Sequence, residues 1–451
     1  MAAAHGHQQD LSSERIKLGA GGRMVVVVAL IAAVVGLVLA LSGGHYERAG
    51  EKYQRFLHSY LTAYAYCLSI ALGALFSVMV HHASRAGWNV TIRRTTENIA
   101  GTLPIFIILS LPILWSVVQN TGILYPWALP APDSIREPLK ETAGEKPPER
   151  AATAEQYAEE RVTQVAERKI EPEIAWKRHG WYSNIFFFSR MALYLIIWAY
   201  LASKFRNQSI RQDENGDVEI TTRLQALGPP GLVMLGLSIT FFAFDILMSL
   251  DPAWYSTMFG VYYIAGCILS GFAAVIVGVF LLQKFGYLRS SVSVEHYHDL
   301  GKYLFAFTFF YGYIAFSQYM LLWYSSIPEE VTWYSRHGAT TLHPSRWSWV
   351  ILAILFGQFL IPFPALLSRH VKRNKNTLVF LAIWVLAFHY VDIYWIVMPQ
   401  YGAFKPMLMD VGTLLLIGGV FVAGIVVNMS GANLRPTHDP RLPDALAFTN
   451  I

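Results

Sequence analysis

Asp245 and Asp392 each stand inside a long apolar run, where a carboxylate must be either paired or put to use. A charged side chain at mid-bilayer costs at least about 2.5–3.5 kcal/mol on insertion scales. Arg190 lies in another such run, and His389 precedes Asp392 by three residues, which puts the two on one helical face. Two uses fit. Arg190 can neutralise one aspartate between bundles, or the Asp and His can exchange protons near neutral pH or touch a quinone headgroup.

A second group lies in the run Leu300–Tyr324. Tyr303, Tyr311, Gln318 and Ser325 are spaced eight, seven and seven residues apart. At 100° per residue that keeps them within about 80° of one another. At the inner mouth stand His296, His298, Asp299 and Lys302. A line of hydroxyls and amides can hold water and pass protons, as a hydrated half-channel would. It can equally supply interhelical hydrogen bonds worth about 0.6 kcal/mol each.

Histidine can also serve as an axial ligand to haem b, which needs two imidazoles facing each other at one depth. His81 and His82 fall at the inner end of their run, His389 falls in the outer half of its own, and His58 lies near the outer rim. These depths disagree, so a haem is not expected here. Cys67 and Cys267 are interior, and no haem-attachment, ferredoxin or zinc spacing of cysteines exists. Both read as small buried hydrophobes, and no covalently held redox centre or metal ligand set is expected.

The elements that would position these groups follow from composition. Of 451 residues, 54% are hydrophobic and 14% charged, against roughly a quarter charged in a soluble domain. A bilayer-spanning helix needs about 20 mostly apolar residues. Runs of that kind occur near Met24–Leu41, His58–His82, Ile99–Val118, Tyr182–Ser203 and Gly231–Leu250, then Met258–Leu282, Leu300–Tyr324, Trp347–Leu367, Leu378–Val397 and Val411–Val427. They are continuous and lack period-two alternation, so helices are predicted. The fold class is therefore all-α, a polytopic membrane protein of about ten transmembrane helices. The first run is longer than a signal-peptide core, and an uncleaved helix is expected despite the small residues Ala40 and Ser42.

Lys and Arg set the orientation. With the N-terminus inside, the inner loops hold Arg15, Lys17, Arg23, Arg85, Arg93, Arg94, Lys204, Arg206, Arg211, Arg223, Lys284, Arg289, Arg369, Lys372, Arg373, Lys375, Arg435 and Arg441. The short outer loops hold Arg48, Lys52, Arg55, Arg336, Arg346 and Lys405. Both termini are thus expected in the cytoplasm, and topology accounts for the net charge of +5 without nucleic acid.

The expected order along the chain is a cytoplasmic tail (1–23), three helices (24–118), a long outer loop (119–181), two helices (182–250), four helices (251–398), a last helix (399–428) and a cytoplasmic tail (429–451). The outer loop begins with a Pro-, Glu- and Lys-rich linker, Pro130–Arg150, and continues into an Ala- and Glu-rich stretch near Ala151–Lys169 that favours a helix. It is either a solvated spacer or a docking surface for an extrinsic partner. Asp245-Ile246 and Asp392-Ile393 are each followed, five residues later, by proline, Pro252 and Pro399. Helices four apart run the same way, so two duplicated four-helix bundles, flanked by the first and last helices, would produce this pattern.

Two stretches carry a family resemblance. LDPAWYSTMFGVYY (Leu250–Tyr263) and HDLGKYLFAFTFFYGYIAFSQYMLLWYSSIPEE (His298–Glu330) resemble the NrfD and polysulfide-reductase-type integral membrane quinol subunits. Within that family the likeness is nearest to the ActF branch, the second such subunit of bacterial alternative complex III, a quinol:cytochrome c (or oxidase) oxidoreductase. The resemblance implies two four-helix bundles in the bacterial inner membrane. It implies as partners a homologous quinol-binding membrane subunit, an iron–sulfur subunit and multihaem c-type cytochromes, which would hold the iron–sulfur clusters and haem c. In that family quinol oxidation is usually assigned to the other membrane subunit. That leaves this chain a scaffold, lipid contact and a proton path through Asp245, Asp392, His389, Arg190 and the seventh-helix line. The competing readings are a stand-alone secondary transporter and a purely structural anchor.

Overall fold

In bilayer hydrocarbon every backbone polar group needs an internal partner, so long apolar runs must close their hydrogen bonds along the helix. The computed structural model describes residues 20–42, 49–128, 180–339, 344–430 and 432–450, and those residues form helices with no strand among them. The predicted linker and helix of the outer loop, Pro130–Arg150 and Ala151–Lys169, lie outside the described residues.

Among the described residues, ten helices are long and apolar enough to span a membrane. They are α1 (Gly22–Ser42), α2 (Lys52–Ala83), α3 (Val90–Val118), α4 (Asn184–Asn215), α5 (Glu219–Leu250), α6 (Met258–Lys284), α7 (Val294–Ser325), α8 (Arg346–Leu367), α9 (Lys375–Gln400) and α10 (Leu408–Met429). Several reach past the apolar runs that announce them. The α3 run begins at Ile99, but the helix begins at Val90 and takes Arg93, Arg94 and Glu97 with it, all buried. These two arginines are therefore not loop residues.

Packing closes two rings. Helix α2 packs on α3 and α5, and α4 packs on both α3 and α5; in the second ring α6 packs on α7 and α9, and α8 packs on α7 and α9. The rings meet where α2 crosses α6, flanked by α2 against α9 and by α6 against α5. Exchanging the two rings maps these contacts onto one another, as a duplicated bundle would. The crossing is close because Gly73 faces Gly271: a Cβ on Gly73 would overlap the Cys267 carbonyl. Small residues let membrane helices approach in this way. Cys267 is buried at this crossing, and Cys67 is also buried on α2.

The flanking helices pack differently. Helix α10 lies on α2 and α3, while α1 lies along α10. That contact is again small against small, Gly36 seated on the Gly412 and Leu416 backbone. The rest of α1 presents Val27, Ile31, Val34 and Val38 outward, as lipid-facing residues should be.

Candidate functional site

In the first bundle Asp245 sits where α5 departs from regular geometry. Residues Ala243–Leu247 form a π-turn, followed by a 3-10 turn over Met248–Leu250. Such bulges rotate a side chain off the helix register and recur at functional positions. The carboxylate is fully buried and fully engaged. Arg190 of α4 donates from Nε to Oδ2 and from Nη2 to Oδ1, each at 2.8 Å. Trp181 donates its indole N–H to Oδ1 at 2.7 Å, and Tyr194 its hydroxyl to Oδ2 at 2.9 Å. The guanidinium also donates to the Trp181 carbonyl and lies 4.0 Å from the Trp181 ring centroid. A bidentate pair with two further donors satisfies both carboxylate oxygens and fixes their geometry.

In the second bundle α9 stays α-helical through Asp392 and tightens only at Met398–Gln400. Asp392 is buried, and its Oδ1 accepts a hydrogen bond from Tyr262 of α6. The Tyr262 hydroxyl lies 2.9 Å from that of Tyr311 on α7. His389 approaches from the other side, its Nδ1 3.8 Å from Asp392 Oδ2, too long for a hydrogen bond. Its Nε2 lies 2.8 Å from Ser69 Oγ of α2, and its ring is 5.7 Å from that of Tyr66. Among the described residues no arginine or lysine forms an ion pair with Asp392. The result is a carboxyl, an imidazole and two phenols from three helices, joined to a serine on a fourth.

The same bundle holds buried amides without protein partners. Gln318 Oε1 on α7 and both polar atoms of Gln358 on α8 lack a hydrogen-bond partner, and Gln358 stands in a π-turn over Leu355–Leu360. Buried polar atoms of this kind usually take water. The seventh-helix line is therefore not one continuous row. Tyr311 and Gln318 face the interior, Ser325 is exposed, and Tyr303 is stacked on Phe272 at 4.8 Å and on Trp88 at 6.0 Å. Between them the Thr308 hydroxyl turns back to the Leu304 carbonyl. Asp245 and Asp392 also lie in different bundles and share no hydrogen-bond partner among the described residues.

At the N-terminal end of α7, Lys302 Nζ lies 2.5 Å from Asp299 Oδ1 and donates to Asn450. His298 is buried beside this pair. The segment after α10 is bound down rather than loose. Asp439 pairs with Arg93, Thr437 donates to Asp213, and Phe448 packs on Trp88 and His296. Burial pushes the Asp439 carboxyl up, but Arg93 and Arg441 outweigh it and hold it below the usual aspartate value. This tether therefore stabilises the docked C-terminal segment above that value and is lost as pH falls through the lowered one.

At the opposite end of the bundles, Arg55 of α2 donates to Asp410 of α10 at 2.6 Å, and Ser59 donates to the other carboxylate oxygen at 2.5 Å. Nearby, His337 stacks on Trp333, and burial pushes its imidazole down to about 3, so it stays neutral at physiological pH.

Sequence reasoning missed Tyr262, Ser69, Gln358 and the Arg55–Asp410 pair. Asp410 stands one residue before the run counted as the last span, so an intramembrane-charge rule passed over it. Tyr262 and Ser69 carry no such signal, because hydroxyls are common in membrane helices. The chain matches no known protein-family model and no curated protein.

Proposed function

We propose that this chain is an integral membrane subunit of a respiratory quinol:cytochrome c (or oxidase) oxidoreductase of the bacterial inner membrane, and that Asp392 is its proton-holding group. The observation that carries the proton role is that no Arg or Lys among the described residues is ion-paired with Asp392, where Asp245 has a bidentate arginine. A buried carboxyl hydrogen-bonded to one phenol, with an imidazole nearby, gains or loses a proton without breaking an ion pair to Arg or Lys, which suits it to relay. The assignment to a quinol-oxidising complex rests on the stretches Leu250–Tyr263 and His298–Glu330. The iron–sulfur clusters and haem c would belong to partner subunits, and no quinol site is assigned to this chain.

The relay would run through Tyr311, Tyr262, Asp392, His389 and Ser69, with water at Gln318 and Gln358. Arg190 and Asp245 leave the path and become a structural clamp. Two measurements test the reading separately. Gentle purification from native membranes should bring down an iron–sulfur protein, c-type cytochromes and a second homologous membrane subunit. A chain recovered alone and free of metal would overturn the complex and favour a transporter. In the assembled complex, Asp392→Asn should leave assembly intact and lower the protons released per quinol oxidised. An unchanged proton stoichiometry would sink the relay while leaving the complex standing.

A further inference from the structure

A cleft of about 860 Å³ is lined by the α1–α10 pair on one side and by α2, α3, α6 and α9 on the other. It is within the size of ordinary ligand pockets, roughly 300–1,000 Å³. Its walls are apolar: Val25 and Val28 of α1, Val277 and Leu281 of α6, and Leu415 and Val422 of α10 are representative. The hydroxyl at its deep end, on Tyr66, is already committed to the Leu386 carbonyl at 3.1 Å. Water has little to bind there, and an empty apolar space forfeits the dispersion contacts of its lining. Hydrocarbon is the filler that the bilayer supplies.

The cleft also has a direction. It reaches from Tyr66 and Leu386 to the helix ends at Gly22, Phe285, Tyr287 and Met429, the side on which the Lys and Arg bias predicts the cytoplasm. Three cations stand at that mouth, each next to a lining residue in the chain. Arg23 follows Gly22, Lys284 lies between Leu282 and Phe285, and Arg289 lies two residues beyond Tyr287. All three are exposed. The Arg289 Nε is turned back to the Gln283 carbonyl at 3.0 Å, which holds this guanidinium at the helix end. An apolar slot with three exposed basic residues adjoining its lining at one end matches the two ends of an acidic lipid, and anionic lipids populate the cytoplasmic leaflet.

We propose that the cleft is a binding site for one anionic phospholipid of the inner leaflet, its acyl chains between α1–α10 and α6 and its phosphate at Arg23, Lys284 and Arg289. The lipid would join α1, which otherwise packs along α10, to the body of the protein.

Gly418 gives a clean test. It lines the cleft, and a Cβ added there meets open space, so a larger side chain would enter the cleft without striking a helix. The full chain, with whatever subunits accompany it, would be purified in mild detergent, and its bound lipid counted by native mass spectrometry. Wild type should retain one phosphatidylglycerol per chain, and after delipidation should rebind it at least tenfold more tightly than phosphatidylcholine of the same chains. Gly418→Phe should lose the lipid, and Gly236→Phe, at an equally open position on α5, should keep it. Replacing Arg23, Lys284 and Arg289 together by Gln should abolish the preference for the acidic headgroup while neutral lipid still binds. A phosphatidylglycerol with a photoreactive acyl chain should label peptides within 274–287 and 414–429 in wild type, which keeps the test open if a variant fails to fold. Retention unchanged by Gly418→Phe, labelling elsewhere, or recovery of an isoprenoid in place of phospholipid would each overturn the proposal.

Discussion

In the first bundle Asp245 receives two hydrogen bonds from Arg190 and one each from Trp181 and Tyr194. In the second, Asp392 receives one from Tyr262, with His389 nearby but not bonded to it. The helices that bear them pack in corresponding ways, each closing a four-helix ring and each touching the first helix of the other ring. Architecture is repeated while electrostatics is not. A carboxylate with a full set of donors and a fixed cation is a clamp, because any change of protonation leaves a buried guanidinium uncompensated. A carboxylate among phenols lacks that penalty. The duplication thus separates two roles that a single intramembrane aspartate could not fill together.

The largest effect should come from breaking the clamp. Arg190→Leu leaves Asp245 with Trp181 and Tyr194 alone, and loss of one partner of a buried pair costs about 3–5 kcal/mol. The variant should show low yield and a clearly lowered unfolding temperature in detergent. Replacing both Arg190 and Asp245 by Leu should restore much of the loss, since an apolar pair of similar volume is often as stable as a buried ion pair. If Arg190→Leu is as stable as wild type, the contrast between the bundles fails at its stronger side.

A matched pair of substitutions sharpens the contrast. Asp245→Asn strands the Arg190 charge and should destabilise by roughly 2–3 kcal/mol. Asp392→Asn keeps an acceptor for Tyr262 and removes a buried acid, so a change within about 1 kcal/mol is expected. Thermal unfolding of the two variants side by side measures the difference. Equal losses would mean that Asp392 is as structural as Asp245.

Much of this architecture is legible in the chain itself. Ten spans and two bundles follow from run length and the Asp-Ile repeat. The expense of isolated charge in hydrocarbon suggests an aspartate for Arg190 across the bundles, and the pair forms instead within the first bundle. Which aspartate Arg190 takes is not legible, because it depends on the rotation of α4 and on the π-turn at Ala243–Leu247, a local change in helix pitch that leaves no mark on hydropathy. The even spacing from Tyr303 to Ser325 suggests one polar face, yet aromatic stacking captures Tyr303 and the end of α7 leaves Ser325 exposed. Period describes one helix, whereas the site at Asp392 is assembled from side chains on α2, α6, α7 and α9. The buried charges of α3 escape a hydropathy reading for a related reason. Arg93, Arg94 and Glu97 make a short stretch look like a loop, and distant partners, Asp439 of the returning C-terminal segment on Arg93 and Asp213 of α4 on Arg94, let the helix bury them.

The smallest effects distinguish a relay from a second clamp. Tyr262 bridges Asp392 and Tyr311, so Tyr262→Phe removes both links, while Tyr311→Phe removes only the outer one. Hydrogen bonds between membrane helices average about 0.6 kcal/mol, because the unfolded state in the bilayer also finds partners. Tyr262→Phe should therefore lower stability by about 1 kcal/mol, and Tyr311→Phe by about half as much. Proton release should follow a different order. If Asp392 exchanges its proton through Tyr262, Tyr262→Phe should reduce coupled proton release nearly as far as Asp392→Asn, despite its small effect on folding. Tyr311→Phe should reduce it less, since it leaves the Tyr262–Asp392 bond in place. A large stability loss in Tyr262→Phe without any change in proton release would make the Tyr262–Asp392 bond a clamp like that of Arg190 and Asp245, and the two bundles would then differ in residues but not in role.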